Sequence, residues 1–254
     1  MKGNQAQNRR KNIAHRIGRS ALYVIWAVVA YLASSLVVVW LEQALDSAGV
    51  LPVFLSGNQT VASTVLAALI YSMALALLIG GPKLSRLDAT TWREMGISGL
   101  PQWRDILLTP PAIIIYFILT TVLIALVSLS VPGFDISQQQ TLPFEALSGR
   151  TDMLIGFIAL VIIAPIAEEL IFRGYLFAKL RRYLSFWPVA LVVSAVFGLL
   201  HGQWNVALDT FALSMVMCVF REKTNSLWIP ILMHMTKNGI AFFILFVSPM
   251  MIGG

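Results

Sequence analysis

Seven apolar runs follow one another along this chain, from Ala21 to Leu41, Thr60 to Gly81, Ile106 to Val131, Met153 to about Lys179, Phe186 to Leu200, Val206 to Phe220 and Leu227 to Met250. A helix crosses a hydrocarbon core in about 20 residues. Inside that core no water is present to pair with exposed backbone groups, so a run of this length is read as a helix, which satisfies its own N–H and C=O groups. The expected fold class is all-α, a polytopic transmembrane helical bundle of about seven to eight spans. Composition agrees: 58% of the 254 residues are hydrophobic and 12% are charged, against about 25% charged in a soluble domain.

The first run outlasts the apolar stretch of a signal peptide, which holds about 7 to 15 residues, and no small-residue cleavage site follows it. It reads as a retained anchor.

A formal net charge of +6 would suit a nucleic-acid binder if the basic residues formed a patch on a soluble face. Here they sit between spans instead. Lys2, Arg9, Arg10, Lys11, Arg16 and Arg19 precede the first run; Lys83, Arg86, Arg93 and Arg104 follow the second; Lys179, Arg181 and Arg182 follow the fourth; Arg221 and Lys223 follow the sixth. The alternate segments carry only Arg150. Such asymmetry sets membrane orientation, so the N-terminus is expected in the cytoplasm and the C-terminus outside, with no nucleic-acid partner. The lone Cys218 excludes an internal disulfide and a CxxC metal site.

Three parts are expected along the chain: a basic cytoplasmic segment (1–20), N-terminal transmembrane helices (21–152) and a catalytic transmembrane core (153–250). The division follows polarity, because the first three runs are almost free of ionisable groups and the last four hold three polar constellations.

The first is APIAEELIFRG, Ala164 to Gly174. Glu169 and Arg173, four apart, share a helix face in the favourable order, whereas Glu168 points about 100° away. An ionisable side chain at mid-bilayer costs roughly 2.5 to 3.5 kcal/mol. Three within six residues therefore imply either a structural ion pair or a wet cavity, and Pro165, by removing a backbone hydrogen bond one turn earlier, favours the cavity. The second constellation is FGLLH, Phe197 to His201, whose histidine alone would read as a satisfied core or interfacial residue. The third is HMTKN, His234 to Asn238, with imidazole and carboxamide on one face, which alone reads equally well as hydrogen-bonding glue between helices.

Hairpin arithmetic brings the three together. With a turn near Tyr183 to Phe186, Glu168 and His201 each lie roughly 25 Å from it along their helices at about 1.5 Å per residue. The last span reaches His234 after roughly 16 Å and Asn238 after roughly 22 Å. A carboxylate, two imidazoles and a carboxamide are thus expected in one layer. A carboxylate beside an imidazole can deprotonate a water, and a second imidazole with an amide N–H can stabilise the oxyanion formed when that water attacks a carbonyl. No serine or cysteine is placed as a nucleophile. Zinc held by Glu168, His201 and His234 is the alternative, less favoured because those residues come from three helices and no HExxH motif is present.

EELIFR (Glu168 to Arg173), FGLLH and HMTKN resemble the EExxxR, FxxxH and HxxxN/B motifs of the CPBP family, which includes CAAX prenyl endoproteases of the Rce1 type and bacterial Abi proteins. The resemblance covers about Met153 to Phe243. It implies an all-helical intramembrane protease, often labelled a metalloprotease, in which the first glutamate and the FxxxH histidine activate water and the last motif stabilises the oxyanion. Those roles fall on Glu168, His201, His234 and Asn238, with Glu169 and Arg173 in support and no cofactor in the favoured reading. The implied partners are the lipid bilayer and a membrane-protein or lipidated-peptide substrate, and the implied location is a bacterial plasma (inner) membrane.

Two other classes remain open at this stage. One is a membrane immunity or scaffold protein without catalysis; the other is a proton-coupled transporter, disfavoured because the polar groups form a layer and not a chain across the bilayer. Lys237 and Asp209 are left over, the latter reading as a helix-start residue near the turn between the fifth and sixth spans.

Overall fold

A computed structural model describes residues 2–50, 58–84, 89–135, 147 and 149–249. Seven helical stretches carry the apolar runs: α1 (Lys2–Ser47), α2 (Gln59–Gly80), α3 (Trp103–Ser130), α4 (Arg150–Arg181), α5 (Phe186–Leu199), α6 (Trp204–Thr224) and α7 (Trp228–Val247). Among the described residues there is no strand. Six of the helices are long and apolar enough to cross a membrane. The exception, α5, has 14 residues and so rises only about 21 Å. The chain is an integral membrane protein built as a helical bundle.

Boundaries depart from the sequence expectation mainly in α1, which runs back through the basic segment to Lys2 with no break at position 20. Nothing in that segment stops a helix, since it contains no proline. Arg86, Met250 and most of the polar segment from Pro132 to Asp152 (136–146 and 148) lie outside the described residues.

The central helix is α4, which packs against α1, α2, α5, α6 and α7, while α3 lies against α6 and α7. One core gathers Tyr175, Leu176 and Leu180 of α4 with Val193 and Phe197 of α5, Ala30 of α1 and Leu78 of α2. A second gathers Tyr116 of α3, Leu213 and Met217 of α6 and Met233 of α7. The outer faces stay apolar, as at Leu36 and Leu129, because their solvent is lipid. Helices α5 and α6 approach closely at Gly198, where a Cβ would lie 2.6 Å from the Ala207 carbonyl oxygen. The glycine of FGLLH is what admits that approach.

Along α4 the backbone alternates between α and π geometry. Pro165 has no N–H to bond four residues back, and just before it Ile158–Ile163 is π-helical, with the Ala164 N–H donating to the Ala159 oxygen. A single α-turn, Ala164–Glu169, follows, and then a second π segment, Leu170–Leu176. Single-turn π segments recur at functional sites; here the two flank Glu168 and Glu169.

At the basic end of the bundle, ion pairs tie the helices to the segment before α3. Arg181 grips Glu222 through two nitrogens, at 2.9 and 2.7 Å, and Arg182 pairs with Glu94 at 2.6 Å. Arg221, almost fully buried, donates to the Glu94 carbonyl at 2.7 Å. It lies against Gly96 (φ +86°), where a Cβ would sit 2.7 Å from the guanidinium carbon. Partial burial alone would raise the Glu94 carboxyl; the Thr91 N–H and the Arg182 guanidinium outweigh it and hold the group below the ordinary value of 4.5.

Candidate active site

Glu169 is fully buried, and one of its oxygens, Oε1, takes two partners. Arg173 donates Nη1 at 3.1 Å from one turn along α4, and His234 of α7 presents Nδ1 at 2.9 Å. The expected Glu169–Arg173 pair is therefore present. Arg173 is also fully buried; its guanidinium lies over the Phe197 ring at 4.2 Å and its Nη2 points at the Met217 sulfur at 3.2 Å. A cation over a desolvated ring is worth about 2 kcal/mol, which helps offset the burial of a charged pair.

Glu168, about 100° further round the helix, keeps 18% of its side chain exposed. Its two oxygens have different surroundings. Oε1 accepts a hydrogen bond from the Tyr71 hydroxyl of α2 at 2.5 Å, whereas Oε2 faces the Nε2 of His234 at 3.8 Å. His234 thus sits between the two glutamates. Glu169 as a carboxylate can only accept, so Nδ1 carries a proton and Nε2 is the atom turned toward Glu168.

His201 follows the end of α5. Its Nδ1 donates to the Phe197 carbonyl at 2.8 Å, which leaves Nε2 free. Phe197 is the hub of this layer, its ring 5.0 Å from His201, 5.8 Å from His234 and 4.9 Å from Phe172. Glu168 and His201 act on each other electrostatically without a hydrogen bond between them. Asn238 uses its amide on α4, donating to the Leu160 carbonyl at 2.9 Å within the first π segment. Its observed contact is therefore the helix-joining one.

Glu168, Glu169, Arg173 and His234 meet directly, His201 joins them across the Phe197 ring, and Asn238 stands one turn beyond His234. Among the described residues no group of three or more His, Cys, Asp and Glu side chains is arranged to hold a metal ion.

Four participants escaped the sequence reading. Asp209 is no helix-start residue: it accepts from the Tyr116 hydroxyl at 2.6 Å and from the Thr120 hydroxyl at 3.0 Å, and it forms an ion pair with Lys237 at 3.5 Å. Lys237 is the α7 end of that link. Phe197 was read only as a motif letter. Tyr71, with Tyr31 of α1 beside it (ring centroids 6.3 Å apart), comes from the half of the chain thought free of chemistry. Both tyrosines fall in mid-run, away from the interfaces where tyrosine concentrates, and a phenol at that depth needs a partner. That was the available signal.

Residues 150–240 match the family model for type II CAAX prenyl endopeptidases, Rce1-like. Among curated proteins, "Putative membrane peptidase YdiL" of Bacillus subtilis (strain 168) is 31% identical over 77 residues, 30% of this chain and 32% of its own. An "Uncharacterized 24.3 kDa protein" of Escherichia coli is 32% identical over 98 residues, 36% of this chain and 45% of its own. "Membrane-embedded CAAX protease MroQ" of Staphylococcus aureus (strain USA300) is 26% identical over 109 residues, 41% of this chain and 43% of its own. The chain thus spans less than half the length of each. No solved structure matches.

Proposed function

On the premise that residues 150–240 carry an Rce1-like domain, we propose that this chain is an intramembrane endopeptidase that hydrolyses a peptide bond with water activated by Glu168. The observation that carries the reading is the placement of His234 between the carboxylates, 2.9 Å from Glu169 and 3.8 Å from Glu168. A water in the notch by Glu168 Oε2 gives its proton to that oxygen and attacks the substrate carbonyl. His201, whose free Nε2 is an acceptor, takes the other hydrogen of the same water in a hydrogen bond. His234, when it carries both protons, donates Nε2–H to the oxyanion, and the second N–H of the Asn238 amide supplements it. Collapse of the tetrahedral intermediate returns the proton from Glu168 to the leaving amine. The products are a carboxylic acid and an amine, which become carboxylate and ammonium as the acid's proton passes to the amine, with no covalent acyl-enzyme and no metal in the cycle.

The substrate in this reading is a membrane-associated protein or lipidated peptide, processed in the CAAX manner or a bacterial equivalent. The membrane is a bacterial inner membrane with the N-terminus on the cytoplasmic side, the orientation the basic segments support. The test is terminal-peptide analysis of host membranes expressing the wild type or Glu168→Ala at matched levels, with a chelator-treated wild-type sample alongside. New termini that vanish in the variant and survive the chelator support the reading. Termini abolished by chelator favour the zinc version on Glu168, His201 and His234.

A second reading, a scaffold or immunity protein without catalysis, draws on the interhelical bonds made by Asn238 and Lys237. Glu168→Gln separates the two, since a scaffold keeps its function when the base is lost.

A further inference from the structure

Tyr71 lies in α2, outside residues 150–240 that the family model matches, yet its hydroxyl hydrogen-bonds Glu168 Oε1 at 2.5 Å. We infer that Tyr71 is a positioning residue of the active site, which fixes the Glu168 carboxylate so that Oε2 alone serves as the base. The inference rests on the protease reading and adds a residue that none of the three motifs contains.

The geometry separates the two oxygens. A hydrogen bond to a charged acceptor is among the stronger ones a protein makes, and this one holds Oε1 toward α2. Oε2 is left facing His234 Nε2 at 3.8 Å, and the His234 ring packs edge-on against Phe197. Without the phenol the carboxylate, 18% exposed, is free to rotate and to present either oxygen or neither.

The hydroxyl is itself held in place. Tyr31 of α1 packs beside the Tyr71 ring, and α2 is tied to α4 a second time at its start, where Asn58 Nδ2 donates to Asp152 Oδ1 at 2.9 Å. Helix α2 therefore contacts α4 at two polar points about four turns apart, the deeper of them at the proposed base. In this arrangement the N-terminal helices form one wall of the site.

The test uses the full chain purified in lipid nanodiscs, with Tyr71→Phe as the variant, since it removes only the hydroxyl and keeps the ring. Two readouts are taken. Infrared difference spectra, with Glu168→Gln identifying the Glu168 band, report the contact; cleavage kinetics on a substrate found by the terminal-peptide screen report its role. The expected result is a shifted Glu168 carboxylate band together with kcat lower by about 10- to 100-fold, as for loss of positioning. KM should stay within about two-fold and the melting temperature should hold, because substrate binding and folding are untouched. An unshifted band overturns the inference, and so does a shifted band with wild-type kcat. Joint loss of kcat, KM and melting temperature assigns Tyr71 to the fold and also overturns it. If the wild type cleaves nothing, the protease reading fails first and takes this role with it, an outcome visible before any variant is assayed.

Discussion

Lys237 Nζ of α7 lies 3.5 Å from Asp209 Oδ2 of α6, and the same aspartate accepts the Tyr116 and Thr120 hydroxyls of α3. Three helices are joined at one carboxylate. Asp209→Asn removes the charge that balances Lys237 and should destabilise the protein by about 1 to 3 kcal/mol, the cost of leaving a partly buried group without its partner. The double variant Asp209→Asn with Lys237→Met should recover most of that loss. Unfolding in mixed micelles of increasing denaturing-detergent fraction measures both.

The fully buried Glu169–Arg173 pair has a sharper signature. Arg173→Met leaves a carboxylate in the core and is expected to cost about 3 to 5 kcal/mol, whereas adding Glu169→Gln should restore much of the stability. Activity should not return in the double variant, because His234 there loses the carboxylate that orients it. A double variant with wild-type turnover would break the link between Glu169 and the site.

Gly198→Ala tests the close approach of α5 and α6. The added methyl would meet the Ala207 carbonyl, and overpacking of this kind costs about 1 to 3 kcal/mol. Since α5 carries Phe197 and leads into His201, turnover should fall further than the stability change alone explains. Cleavage rate and thermal unfolding of the same preparation give the comparison.

Acid should loosen the segment before α3. Glu94 is held below its ordinary value of 4.5 in the folded protein, so its contribution is fully present above that pH and is lost as pH falls through the lower, folded value. The effect is small, because the Arg182–Glu94 pair is partly exposed. Hydrogen exchange of residues 89–102 should rise selectively as pH falls below 4.5, and Arg182→Gln should weaken that pH dependence.

What the sequence made legible, and what it did not, follows from the geometry of helices. Apolar runs fix where helices lie along the chain: α5 was expected at Phe186–Leu200 and ends one residue earlier, at Leu199. Spacing on one helix also survives folding, hence the Glu169–Arg173 pair. Counting residues from a turn gave depth, which put Glu168 level with His201 and His234 in the same layer; in the structure Glu168 faces His234 at 3.8 Å. Rotation about each helix axis was not readable, because it depends on packing and on the π segments around Pro165. The expected neighbours Glu168 and His201 accordingly meet only electrostatically, Asn238 turns to Leu160, and His234 takes the place between the glutamates. Tyr71 was hidden for a different reason, since a single phenol in an apolar run has no partner until the helices are assembled.

The two π segments of α4 make the site dependent on reading frame in a way the bundle as a whole is not. Each widened turn accommodates about one residue more than α geometry would over the same rise. Deleting one residue from Ile158–Ile163 would let that stretch relax to α-helix over the same rise and would keep the glutamates in phase with the helix before it. The helix would still span the membrane and still be apolar outside. A one-residue insertion, by contrast, finds the turn already widened and would rotate both glutamates by about 100°, taking Glu168 away from Tyr71 and His234. Single-residue deletions there should therefore be silent in membrane insertion and mild in activity, and single-residue insertions severe in activity. The same deletions in the lipid-facing stretches of α1 or α3 would leave the angular phase of the site unchanged.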